Sequence, residues 1–145
     1  MTIRRHTTSF LALTTAGVLL LGCAGRPSGP SGTSPRLYAA DMSGEAKTCE
    51  TTKPVLTPGK VAEATMKVGS NGGWCGIPVR NGGQPYDAGL LTARPEHGKV
   101  FVHRVGNDTR IDYTPEFGFA GADTFTVNLL PGEAGLRIAV TAVPR

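Results

Sequence analysis

The chain has 145 residues, 39% of them hydrophobic, with 15 Lys and Arg against 11 Asp and Glu and three cysteines. That length allows one ordinary domain with a modest core. The basic residues are scattered, and none of their groupings resembles a nucleic-acid patch, so nucleic acid is not an expected partner. The first segment carries Arg4 and Arg5 and then a mostly apolar run from Phe10 to Leu21, interrupted by Thr14, Thr15 and Gly17. The run is short for a membrane span, which needs about 20 apolar residues. A small residue, Gly22, follows it and precedes Cys23, the order found at a processing site.

Leu20-Leu21-Gly22-Cys23 resembles the lipobox of bacterial lipoprotein signal peptides. The resemblance implies cleavage before Cys23 and attachment of a diacylglycerol to the Cys23 thiol. It places the mature protein in the bacterial cell envelope, held by membrane lipid. One acyl chain binds only marginally, at about 0.8 kcal/mol per buried methylene, so stable anchoring takes two or more. Ala24 stands where an aspartate would mark inner-membrane retention, which resembles the outer-membrane class facing the periplasm. The competing reading is an ordinary secretory signal that happens to contain a cysteine. Residues 1–22 are then signal peptide, and Arg4 and Arg5 leave with it.

Residues 25–35 are Gly, Pro and Ser-rich and cannot bury enough apolar surface to offset the entropy of ordering. We expect a disordered, lipidated tether over 23–46 and a folded domain over 47–145. With Cys23 assigned to lipid, Cys49 and Cys75 remain. An even number in an oxidising compartment makes a disulfide the expected state. The alternative is a metal pair or reactive thiol, but neither cysteine has a second Cys or a His near it in sequence.

From Val55 onward apolar residues recur with period two between turn signals. Lys60 to Val68 suits a strand, though Ala62-Glu63-Ala64 also suits the start of a helix. Trp74 to Val79 and Gly89 to Ala93 read as short strands. Lys99 to Arg104 and Thr109 to Thr114 read as the arms of a hairpin turning at 105–108. Val100 and Val102 share a face in the first arm and Ile111 and Tyr113 share one in the second, with Arg104, Arg110 and Asp112 expected on the opposite side. His103 shares an alternation face with Phe101 and Val105. Ala122 to Leu130 would point Phe125, Val127 and Leu129 inward. Leu136 to Val143 closes the sheet, with Leu136, Ile138 and Val140 on one face. About seven short strands at this spacing suggest an all-β, single antiparallel sandwich.

His97-Gly98-Lys99-Val100, then Tyr113-Thr114-Pro115, then Gly118-Phe119-Ala120-Gly121-Ala122-Asp123-Thr124-Phe125 resembles the bacterial Ig-like, cadherin-like repeat. The match covers about Leu90 to Val143. It implies an Ig-like sandwich in which these motif residues are structural. Gly98 would turn the chain into a strand, and Tyr113 would bury its ring with its hydroxyl near backbone. Pro115 would end a ladder, and Gly118 and Gly121 would let the chain cross between sheets. Asp123 would accept backbone N–H bonds in that crossing. Cadherin relatives bind calcium, but this chain has no D-x-D-x-D loop to supply six to eight oxygens, so calcium is not expected.

A catalytic set is hard to find. There is no G-x-S-x-G, and beyond the Gly/Pro/Ser-rich residues 25–35 the only serines are Ser43 and Ser70, neither in a nucleophile context. Gly69-Ser70-Asn71-Gly72-Gly73 lacks the Lys-Ser/Thr of a phosphate loop. His97 and His103 read as a turn residue and a sheet-surface residue. Trp74 reads either as a core residue against the disulfide or as an exposed aromatic. Trp74, Phe101 and His103 are the candidates for partner contact. No cofactor and no metal site is expected, and no enzymatic activity. The expected function is a lipid-anchored envelope protein whose non-catalytic domain contacts an envelope protein or cell-wall polymer. The alternatives are an inhibitor or accessory subunit of a periplasmic or secreted enzyme, presenting Asn71–Trp74 or Asn81–Tyr86, and a glycan-binding module or small hydrolase.

Overall fold

The computed structural model describes residues 37–144. The lipobox, Cys23 and most of the tether lie outside the described residues. A one-turn helix, α1 (Ala39–Met42), precedes eight strands. These are β1 (Cys49–Thr51), β2 (Val61–Gly69), β3 (Cys75–Val79), β4 (Ala88–Ala93), β5 (Gly98–Val105), β6 (Asp108–Pro115), β7 (Gly121–Leu130) and β8 (Ala134–Val143).

The strands form two sheets, β1-β2-β8-β7-β4 and β3-β6-β5, packed as a β-sandwich. The ambiguous segment after Lys60 is a strand, because Ala64, Met66 and Val68 alternate inward against the other sheet. Phe125, Val127 and Leu129 of β7 and Leu136 and Ile138 of β8 are fully buried, as the alternation requires. They meet Cys75, Ile77, Ile111 and Tyr113 from the three-stranded sheet. The β5–β6 hairpin closes Val105 against Asp108, so its turn is only Gly106-Asn107, tighter than the four residues expected.

Two expectations are corrected. The sandwich is not wholly antiparallel, because β2 runs parallel to β8 from Val61↔Gly135 to Gly69↔Val143. Turn signals report pairing between neighbours in sequence. This pairing joins the second strand to the last, and only burial of the shared inner face selects it.

The segment assigned to the tether is also partly ordered, since residues 38–46 pack on the sandwich. Ala46 is buried and its N–H donates to Trp74 O (2.7 Å). Trp74 N–H donates to Gly44 O (3.0 Å), and Glu45 bridges Trp74 in parallel. The strap holds because backbone groups of residues 44–46 find strand-like partners along the edge at Trp74, while side chains on the sheet bond its carbonyls.

Cys49 and Cys75 form a disulfide with Cα atoms 5.2 Å apart. It joins β1 of the large sheet to β3 of the small one, a covalent staple across the sandwich.

Candidate functional site

Two polar clusters stand out, one at an end of the sandwich and one on the outer face of β3-β6-β5. The first gathers the motif residues. Tyr113 is fully buried in β6, its ring stacked on Phe125 at 5.6 Å between centroids. Its hydroxyl donates to Asp123 Oδ2 at 2.8 Å, and His97 O lies 3.2 Å away. Asp123 also accepts from the N–H groups of Glu96 (3.0 Å), His97 (2.9 Å) and Thr124 (2.8 Å). Burial alone pushes this carboxyl pKa up, but those backbone donors and the Tyr113 hydroxyl outweigh it and hold the pKa below the usual range. Burial pushes the Tyr113 phenol well above its ordinary value, and the hydrogen bond to Asp123 and its charge add to the effect.

The remaining motif residues close the same clasp. His97 stacks on Phe119 at 4.2 Å, and Glu116 N–H donates to His97 O at 2.8 Å. Pro115 pairs with Gly98 at the end of the ladder. A Cβ at Gly98 would lie 2.6 Å from Tyr113 Oη, so glycine is needed for the close approach of that ring. Gly118 N–H donates to Ser70 O (3.1 Å), which fixes the crossing from one sheet to the other, and Gly121 opens β7.

The second cluster lies under the strap. Cys75 points into the core, so its neighbour Trp74 points outward. Trp74 is therefore half-buried on the outer face, not packed in the core beside the disulfide. Its indole covers the Arg110 guanidinium at 3.8 Å, and its Nε1 donates to Ser43 O at 2.8 Å. Arg110 grips Asp112 through Nε (2.7 Å) and Nη2 (2.9 Å), and its Nη1 donates to Asp41 O at 2.5 Å. His103 Nε2 lies 2.8 Å from Asp112 Oδ2, and its Nδ1 faces Asp41 Oδ1 at 3.9 Å. Gly76 makes room for the pair, since a Cβ there would overlap the Asp112 carboxylate and sit 3.0 Å from Arg110 Cδ.

The three candidates for partner contact thus differ. Phe101 is 62% exposed, while Trp74 and His103 are half-buried by the strap. Nothing in the sequence marks Asp41, Gly76 or Arg110 as part of a site. An Arg-x-Asp alternation beside a hydrophobic face reads from sequence as a solvated surface, and only the strap reveals its burial.

Chemically the cluster is a carboxylate clamped between a guanidinium and an imidazole. Ser43 Oγ is turned to Ala40 O and Ser70 Oγ to Val143 O, so neither serine is presented to His103. Among the described residues, no three His, Cys, Asp or Glu side chains converge to hold a metal ion, and no buried side-chain N or O lacks a partner. The concavity that includes His103, with Tyr86, Val102 and Thr109, holds about 180 Å³, below the few hundred Å³ of ordinary ligand sites. A broader, open groove of about 420 Å³ lies on the outer face of the large sheet, lined by Thr52, Glu63, Thr65, Thr124, Arg137 and Ala139. Comparison with models of known protein families and with curated proteins finds no match to this chain.

Proposed function

We propose that this is a lipid-anchored protein of the bacterial cell envelope, whose β-sandwich is a non-catalytic scaffold that contacts another envelope component. The observation that carries the reading is how the polar side chains are used. Tyr113, Asp123 and His97 satisfy one another and the backbone, and Arg110, Asp112 and His103 fasten the strap. Such groups are committed to the fold rather than presented to a substrate. The anchor rests on Leu20 to Cys23, and the Ig-like, cadherin-like assignment on the motif from His97 to Phe125. Position Ala24 favours the outer membrane, facing the periplasm. Metabolic labelling with radioactive palmitate should mark the chain and fail to mark Cys23→Ala. Crosslinking in cells followed by pull-down should enrich an envelope protein or cell-wall fragment. Recovery of lipid alone would overturn the contact role.

A further inference from the structure

Among the described residues, four of the eight exposed large apolar side chains lie on the strap and on β5 beside it, while Val55, Val61, Leu90 and Phe117 lie elsewhere. Leu37, Tyr38 and Met42 are 61%, 61% and 66% exposed, and Phe101 is 62% exposed. Tyr38 is the N-cap of α1, and Met42, its last residue, follows Asp41. Asp41 faces His103, and the His103 ring lies 4.5 Å from that of Phe101. Leu37, Tyr38 and Met42 thus lie within four residues of Asp41 in the strap, and Phe101 lies beside the His103 that Asp41 faces. Lys99 is exposed two residues before Phe101, on the same face of β5. The turn is not free to swing, because Arg110 Nη1 holds Asp41 O and Trp74 Nε1 holds Ser43 O.

The chain outside the described residues joins the domain at Leu37, within this patch, and leads back to Cys23. Roughly a dozen residues, rich in Gly, Pro and Ser, separate Leu37 from Cys23 in sequence. We infer that this face rests on the lipid surface that carries the anchor. Phe101, Met42 and Leu37 enter the boundary between headgroups and acyl chains, Tyr38 sits there with its hydroxyl outward, and Lys99 meets lipid phosphate. The inference rests on the lipid-anchored reading of Cys23. It goes further by fixing the orientation, with β3-β6-β5 against the bilayer and the large sheet turned away from it.

Trp74 is the sole tryptophan and lies at this face, which makes it a built-in reporter. The full mature lipidated chain is reconstituted into phosphatidylcholine and phosphatidylglycerol vesicles with or without brominated acyl chains. Brominated lipid should quench Trp74 emission. The double variant Phe101→Asp, Met42→Asp should still float with the vesicles, and its quenching should fall by about twofold or more. Flotation of the wild-type chain with Trp74 unquenched overturns the inference while leaving the anchor intact, as does equal quenching in the variant. A chain that neither floats nor carries lipid at Cys23 by mass spectrometry overturns the anchor reading and this inference with it.

Discussion

The Tyr113 hydroxyl donates to Asp123 Oδ2 at 2.8 Å, tying β6 of the small sheet to β7 of the large one at the point where the chain crosses between them. Tyr113→Phe removes that bond and leaves the ring stacked on Phe125. A hydrogen bond to a charged group contributes about 1.5–3 kcal/mol, and the unfolding free energy from urea denaturation should fall by that much. Asp123→Ala should cost more, because the Tyr113 hydroxyl and the three N–H groups of Glu96, His97 and Thr124 lose their acceptor together. Equal losses in the two variants would show that Asp123 does not organise the clasp.

The same pair sets the pH limits of stability. The Asp123 pKa is lower in the fold than in the unfolded chain. Its contribution is therefore full above the unfolded value of about 3.9 and is lost as pH falls through the folded one. Tyr113 has the opposite sense, since its raised pKa favours the neutral phenol. That contribution is full below the unfolded value of about 10 and is lost as pH rises above it. Urea midpoints from pH 3 to pH 11 should trace both limbs, with Asp123→Asn flattening the acid limb and Tyr113→Phe the alkaline one. An acid limb of unchanged steepness in Asp123→Asn would assign it to other carboxylates.

Much of this end of the molecule was legible in the sequence. Period-two alternation placed Phe125, Val127 and Leu129 inward, and a short carboxylate at a crossing implied backbone acceptance by Asp123. The parallel pairing of β2 with β8 was not legible, because no local signal records a partner some seventy residues away. Cys49–Thr51 is too short to show a period. The strap was hidden for a different reason. Its affinity for the sheet resides in Trp74, Arg110 and Asp112 rather than in its own composition. The placement of Trp74 was within reach, since a buried Cys75 sends its neighbour outward.

The disulfide gives a prediction that separates covalent from packing contributions. Cys49 and Cys75 are 26 residues apart, and closing a loop of that size contributes about 3 kcal/mol in the chain-entropy model. The double variant Cys49→Ala, Cys75→Ala should lose about that much in chemical denaturation and keep its far-ultraviolet spectrum. Thiol-reactive dye should label neither residue in the unreduced protein. Labelling of both without reductant would mean the staple is absent in solution.

Arg110 should govern the strap. Its guanidinium answers the Asp112 carboxylate with two bonds, accepts the Trp74 ring, and still donates to Asp41 O. Arg110→Ala leaves Asp112, nearly buried, with His103 as its remaining side-chain partner, and breaking such a pair costs about 3–5 kcal/mol. It also frees residues 38–46, so trypsin should cut faster after Lys47 and Trp74 emission should move to longer wavelength. Arg110→Lys keeps the charge but not the planar fork. One ammonium cannot reach both Asp112 oxygens and Asp41 O while lying flat under the indole. Arg110→Lys should therefore recover part of the stability and little of the protection at Lys47. Cleavage at the wild-type rate in both variants would mean that the backbone contacts of Gly44 and Ala46 with Trp74 hold the strap without Arg110.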